Sequence, residues 1–337
     1  MSDLLGYLKS NAHAGFDVVD KKVDYLLSVE KTPEGMENET FLWSFQIPEK
    51  NLIGIVYLWV HSALRTTSAG VVIWQGVNRY PQEIEHFNYI QHLPYPESRG
   101  DTIFVPGVNL KIKIVEPLVS HVIEYSHAPT DTSLFLTTKA LHSPVQENGK
   151  LHYEQAMHMK GEMKLNGESC SVDCYSMRDH GYRGARSEAM TLHPPVSYAS
   201  GVSDDGSVIF NFGCSDNPSS NPPWSDHYSH SNDDTFLQGW ICRDNQLCKI
   251  TEIDKSATYD KSDFYREVSW KCLMVDEFGE KHVINAQRRA AVPWCPWMST
   301  FNDFLLFSFE MDDGITGYGW YNQAYWNDYG RLIKSMV

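Results

Sequence analysis

The sequence predicts an all-β protein, and two observations carry that expectation. β-rich runs such as Leu52 to His61, Val208 to Phe212 and Phe304 to Met311 recur between residues that tolerate positive φ. The few segments with any helical character, Leu4 to Leu8, Gln82 to His92 and Tyr321 to Ile333, lack a strong 3.6-residue period.

The turn signals come in chain order at Pro48-Glu49-Lys50-Asn51, Asn148-Gly149, Asn166-Gly167, Asp204-Asp205-Gly206, Asp244-Asn245, Phe278-Gly279 and Asp312-Asp313-Gly314. Asn-Gly and Asp-Gly supply the left-handed backbone that tight antiparallel hairpins need. Between them lie strand candidates at Leu110 to Val115, Val122 to Tyr125 and Leu247 to Ala257 as well. Several runs exceed ten residues, which at about 3.3 Å per residue is over 30 Å of strand. Strands of that length in meandering hairpins curl, because flat exposed edges invite aggregation. About sixteen runs are too many for one small barrel. The expected architecture is therefore two tandem antiparallel β-barrels or curled sandwiches, residues 1–190 and 191–337, meeting between Arg186 and Tyr198. The polar segment Ser215 to Asp234, with Trp224, His227 and His230, is a long loop that either covers a barrel mouth or is a solvated insertion.

The hairpin Leu151 to Arg186 carries the chemistry. With Asn166-Gly167 as a two-residue turn, Leu165 lies opposite Glu168 and the register of every later pair follows. Met159 then faces Cys174, Met157 faces Ser176 and Gln155 faces Arg178, on a face with Met163, Leu165, Cys170 and Val172 that reads as core. The other face pairs His158 with Tyr175, Ala156 with Met177 and Glu154 with Asp179, with His180 expected nearby. Two carboxylates directly opposite one another do not both ionise cheaply, so one is raised in pKa and becomes a general acid beside a general base. The competing reading pairs Asp179 with Arg178 or Arg183 at a strand end.

The run Tyr175-Ser176-Met177-Arg178-Asp179-His180-Gly181-Tyr182 resembles the Asp-His-x-Trp signature of carotenoid hydratases, kievitone hydratases and related AttH-like proteins. Gly317-Tyr318-Gly319-Trp320-Tyr321-Asn322 resembles a second, weaker signature of that family. The resemblance is good over about 35 residues and implies two tandem lipocalin-like barrels. It also implies addition or loss of water at a double bond, or cyclisation, on apolar substrates; fungal hetero-Diels-Alderases share the architecture. Carried over, Asp179 is the proton donor and His180 its neighbour in the site; the hairpin register adds Glu154 to the catalytic set. His158, Tyr175, Arg178, Tyr182, Tyr318, Trp320, Tyr321 and Asn322 are the expected substrate-binding residues. The sequence departs from the pattern at Gly181 (usually Ser or Glu), Tyr182 (usually Trp) and Asn322, where a Glu is expected.

Composition narrows the rest. With 28 Lys and Arg against 43 Asp and Glu, the net charge of −15 opposes nucleic acid and anionic membranes. No apolar stretch approaches the roughly 18 residues of a membrane span. Met1-Ser2-Asp3-Leu4-Leu5 lacks the shape of a secretory signal, and seven cysteines without a Cys-x-x-Cys pair read as free thiols, so a cytoplasmic protein is expected. His227 and His230 with Asp226, Asp233 and Asp234 read as solvated rather than metal-binding. Arg183 with Arg186 and Arg288 with Arg289 read as partners of acidic residues, and no nucleophile elbow or dinucleotide fingerprint is present. No metal and no cofactor are called for. The expected function is a cofactor-independent lyase or isomerase hydrating or dehydrating an apolar unsaturated terpenoid, steroid or polyketide. A cyclase or Diels-Alderase, and a non-catalytic carrier of an apolar ligand, are the alternatives.

Overall fold

The computed structural model describes residues 15–27, 37–185, 195–215, 236–263, 265–297, 300–326 and 335. The loop with Trp224, His227 and His230, the helix candidate at Leu4 to Leu8, Arg186 and the side chain of Arg183 lie outside the described residues. The protein is all-β and divides into two compact units, one of residues 1–74 and 84–187 and the other of 75–83 and 188–337.

In the first unit β1 (Phe16–Asp17) pairs with β11 (Gln146–Glu147), and the remaining strands form one curled eleven-stranded sheet. From one edge to the other its order is β5 (His86–Pro94), β4 (Thr66–Gln75), β3 (Leu52–His61), β2 (Glu37–Ile47), β13 (Glu168–Ala185), β12 (His152–Leu165), β10 (Thr132–Ala140), β9 (Ser120–His127), β8 (Leu110–Glu116), β7 (Thr102–Val105) and β6 (Glu97–Arg99). Alternation sends Phe41, Trp43 and Phe45 inward to a core with Val71, Ile112, Ile123, Met157 and Met159. The segment from Gln82 to His92, a helix candidate in sequence, is a single 3-10 turn (Pro81–Glu83) followed by β5. Its partner strand β4 supplies the ladder hydrogen bonds that its weak helical pattern does not outweigh.

The second unit is a closed eight-stranded barrel in chain order: β14 (Val196–Ser203), β15 (Val208–Ser215), β16 (Phe236–Arg243), β17 (Gln246–Asp260), β18 (Arg266–Asp276), β19 (Lys281–Trp294), β20 (Thr300–Met311) and β21 (Thr316–Trp326). The segment at Tyr321, read as a possible helix, continues strand β21, because closure pairs it with both β14 and β20. The barrel interior is filled by side chains, as eight strands permit. Phe210, Phe307 and Phe309 press against Gly201, Gly317 and Gly319. A Cβ on Gly319 would lie 2.1 Å from Ser200 O and 2.5 Å from Phe307 Cζ.

The hairpin turns follow the chemistry of their residues. Asn166 and Gly167 have φ of 51° and 90°, and Asp244 and Asn245 of 49° and 64°. Both are the doubly left-handed turn that matches strand twist. No described helix is long and apolar enough to cross a membrane.

Candidate functional site

The left-handed Asn166-Gly167 turn sets the β12–β13 ladder, and all fourteen pairs from Leu165↔Glu168 to His152↔Gly181 follow without a slip. Met157, Met159, Met163, Val172 and Cys174 face the core as expected, with Leu165 and Cys170 packed at its margin. On the other face Glu154 stands opposite Asp179.

The imidazole between them belongs to His152. Its Nδ1 lies 3.1 Å from Glu154 Oε1 and its Nε2 lies 3.0 Å from Asp179 Oδ1. His152 is two residues before Glu154 and so shares its face. Its cross-strand partner is Gly181, whose missing side chain leaves room for the ring: a Cβ there would lie 3.2 Å from His152 Cδ2 and 2.8 Å from Thr40 Oγ1. The sequence reading overlooked His152, although the period of two would have found it. The side chains of His152, Glu154 and Asp179 are 31%, 2% and 14% exposed, a gradient from surface to interior. Burial pushes the Glu154 carboxyl well above the ordinary carboxylate range, the charge of Asp179 adds to this, and His152 opposes it. The Glu154–Asp179 row continues across β2 and β3 as Leu42 and Tyr57, and the next row as Thr40 and Trp59, so an apolar wall flanks the acid pair.

His180 and Arg178 are not on this face. Each neighbours Asp179 in sequence, so a strand turns both to the opposite side of the sheet. His180 Nδ1 donates to Thr40 O (2.9 Å), and its ring packs on Phe41 and stacks on Tyr182. Burial, aided by the charge of Arg178, lowers its pKa to about 3, so at neutral pH it is an uncharged imidazole. Arg178 lies beside the rings of Trp43 and Tyr153 and pairs with the buried carboxylate of Asp24, which also accepts from Leu118 N (2.5 Å) and contacts His121 Nε2 (3.1 Å). Burial works against the Asp24 charge, but Arg178 and His121 outweigh it and hold the carboxyl far below its usual range. The competing expectation that Arg178 neutralises Asp179 therefore does not hold. Tyr182 is also inward, with its hydroxyl donating to Gln146 Oε1 (2.6 Å).

His158 lies on the Asp179 face but toward the wet end of the ladder, 2.5 Å from Asp173 and beside the ring of Tyr175. The remaining candidates belong to the second unit. Tyr318 is half-exposed at a polar hollow of about 690 Å³, with Lys271, Asn285 and Arg289. Trp320 is buried and stacks on Phe304; Asn322 is buried on the same face. Tyr321 points into the barrel, where its hydroxyl lies 2.6 Å from both Ser197 Oγ and Glu267 Oε2, and Lys255 Nζ is 2.5 Å from Glu267 Oε1. That Lys-Glu-Tyr-Ser ring was not foreseen, since its members come from four different strands. Arg288 lies 3.8 Å from Asp263, as its acidic-partner reading expected.

The family model described as a domain of unknown function, DUF7064, matches residues 29–328. No curated protein matches the chain by sequence. Among solved structures, the chain is similar to CghA (TM-score 0.58, 9% identity, covering 87% of this chain and 88% of that one). It is similar to kievitone hydratase from Nectria haematococca (TM-score 0.52, 12% identity, 89% and 92% covered). The AttH-like protein NE1406 of Nitrosomonas europaea also matches (TM-score 0.51, 10% identity, 87% and 93% covered). These likenesses agree with the tandem lipocalin-like fold.

Proposed function

The chain belongs to the DUF7064 family, whose description assigns no activity, and from the site itself we propose that it is an acid–base lyase or isomerase acting on an apolar, unsaturated small molecule. The observation that carries this reading is the imidazole of His152, within 3.1 Å of both Glu154 and Asp179. The fold shared with kievitone hydratase supports the class of reaction.

Asp179, the more exposed carboxyl, is the donor. In dehydration its proton goes to the substrate hydroxyl, the C–O bond breaks with its electron pair on oxygen, and water leaves. A proton then departs from the adjacent carbon to the Asp179 carboxylate, forming the double bond; hydration is the reverse. Asp179 is protonated for this role through the ring: His152 gives it the Nε2 proton and takes one at Nδ1 from Glu154, the carboxyl whose ionisation burial and the Asp179 charge oppose. Leu42, Tyr57 and Trp59 exclude water, and the rings of Tyr57 and Trp59 offer aromatic faces to positive charge developing on carbon. A terpenoid, steroid or polyketide carries the apolar body and the hydroxyl or double bond that this reading needs.

The test is turnover of such a panel in ¹⁸O-labelled water by wild type and Asp179→Asn. A product one water heavier or lighter, made by wild type alone, supports the reading. A product of unchanged mass moves the assignment from a lyase to an isomerase or cyclase, and full activity in Asp179→Asn removes the acid role.

A further inference from the structure

We propose that His152, Glu154 and Asp179 also form a binding site for one divalent transition-metal ion, of which zinc is the best fit. One ligand atom from each residue lies within 4.8 Å of the other two. Two ligands at alternate positions of one strand, with the third on the antiparallel neighbour, are aimed at one point by the ladder itself and need no loop to close. The two short contacts are made by different ring nitrogens, Nδ1 to Glu154 (3.1 Å) and Nε2 to Asp179 (3.0 Å), each the length of a hydrogen bond, so an ion must displace one of them. One imidazole and two carboxylates suit zinc, manganese or iron. The ion would use one of the two ring nitrogens, releasing the other.

Burial supplies an independent reason. Glu154 is 2% exposed and faces a second carboxylate, so ionising it without a cation is costly. An ion between the two neutralises both, and the part-exposed His152 leaves an open side for entry and a bound water. The other cluster of this type among the described residues, Asp276, Glu280 and His282, differs in kind. There Asp276 Oδ1 already accepts the backbone N–H of Phe278 and of Glu280, and Glu280 is exposed on the turn. It serves as the control.

Binding stands on this geometry alone. Its consequence rests on the relay proposed above: an ion in place of the relay protons shuts acid chemistry off, so zinc inhibits turnover. The decisive measurement is therefore binding, without substrate. The metal-free chain is titrated with Zn²⁺ by calorimetry and with Co²⁺ by its visible d–d absorption. The expected result is one ion per chain with micromolar or tighter affinity. His152→Ala and Asp179→Asn each weaken it about 100-fold, while His282→Ala leaves it unchanged. His152→Cys, which keeps a metal-binding side chain, restores Zn²⁺ binding and shows that a loss in His152→Ala is not misfolding. No saturable uptake, uptake indifferent to His152 and Asp179, or uptake lost with His282 overturns the proposal.

Discussion

Gly181 stands opposite His152 on the β12–β13 ladder, and the imidazole occupies the space that a side chain on Gly181 would take. The departure of this sequence from the Ser or Glu expected at that position is thus linked to the presence of the ring joining Glu154 to Asp179. The consequence is testable in both directions.

Gly181→Ser pushes on His152 Cδ2 and Thr40 Oγ1 and breaks one of the ring's two carboxylate contacts. Turnover is expected to fall by about 10–100-fold, a part of the usual worth of acid–base assistance. The His152 ring resonances in an NMR pH titration should move at the same time. Unchanged resonances with reduced turnover would separate the effect from His152.

Stability should depend on pH through two opposed sets of groups. His180 and His142, held by burial at about 3 and about 4, stay neutral in the folded chain but take up protons near pH 6.5 when unfolded. Stability is therefore lost as pH falls below about 6.5, by up to about 1.4 kcal/mol per unit for each. Glu154, raised by burial and by Asp179, acts the other way. The folded chain keeps a proton that the unfolded chain loses near pH 4.3, so stability is lost as pH rises from there through its folded pKa. Urea unfolding across pH 4–8 checks this: His180→Gln should flatten the acid limb and Glu154→Gln the limb toward neutrality.

Breaking the buried Asp24–Arg178 pair should cost about 3–5 kcal/mol, because Asp24→Ala leaves a guanidinium without a counter-charge inside the sheet. The double variant Asp24→Leu with Arg178→Met should recover much of that loss. Denaturant midpoints of the two variants and of the wild type test it. Equal losses in single and double variants would mean that packing, not charge, carries the site.

Two glycines of the barrel should respond differently. Gly319→Ala meets backbone at 2.1 Å, and the cost is expected above about 3 kcal/mol or as loss of the folded barrel. Gly314, at a turn with φ of 84° and open space around it, carries only backbone strain. Gly314→Ala should cost about 1 kcal/mol. Thermal unfolding of the pair distinguishes them.

The fate of the motifs follows how far their partners lie along the chain. The pairing of Glu154 with Asp179 could be counted from the Asn166-Gly167 turn alone, because hairpin register is local and the side-chain period is two. The same counting already placed Arg178 on the core face, and it needed only one more step to place His180 there and His152 beside the acids. Gly317-Tyr318-Gly319-Trp320-Tyr321-Asn322 looked like one site, yet its members divide between two faces. Its glycines are spaced to admit Phe307 and Phe309 rather than a ligand.

By itself, then, the sequence determined the all-β class, the turns and the acid pair, since each rests on residues close in the chain or on strict alternation. Only the tertiary structure decided that Arg178 answers to Asp24, 154 residues away, and not to the adjacent Asp179. It alone placed Leu42, Tyr57 and Trp59 beside the acids through the β13–β2–β3 pairing. Long-range strand neighbours are chosen by the packing of the whole sheet, and no local pattern encodes which strand that will be.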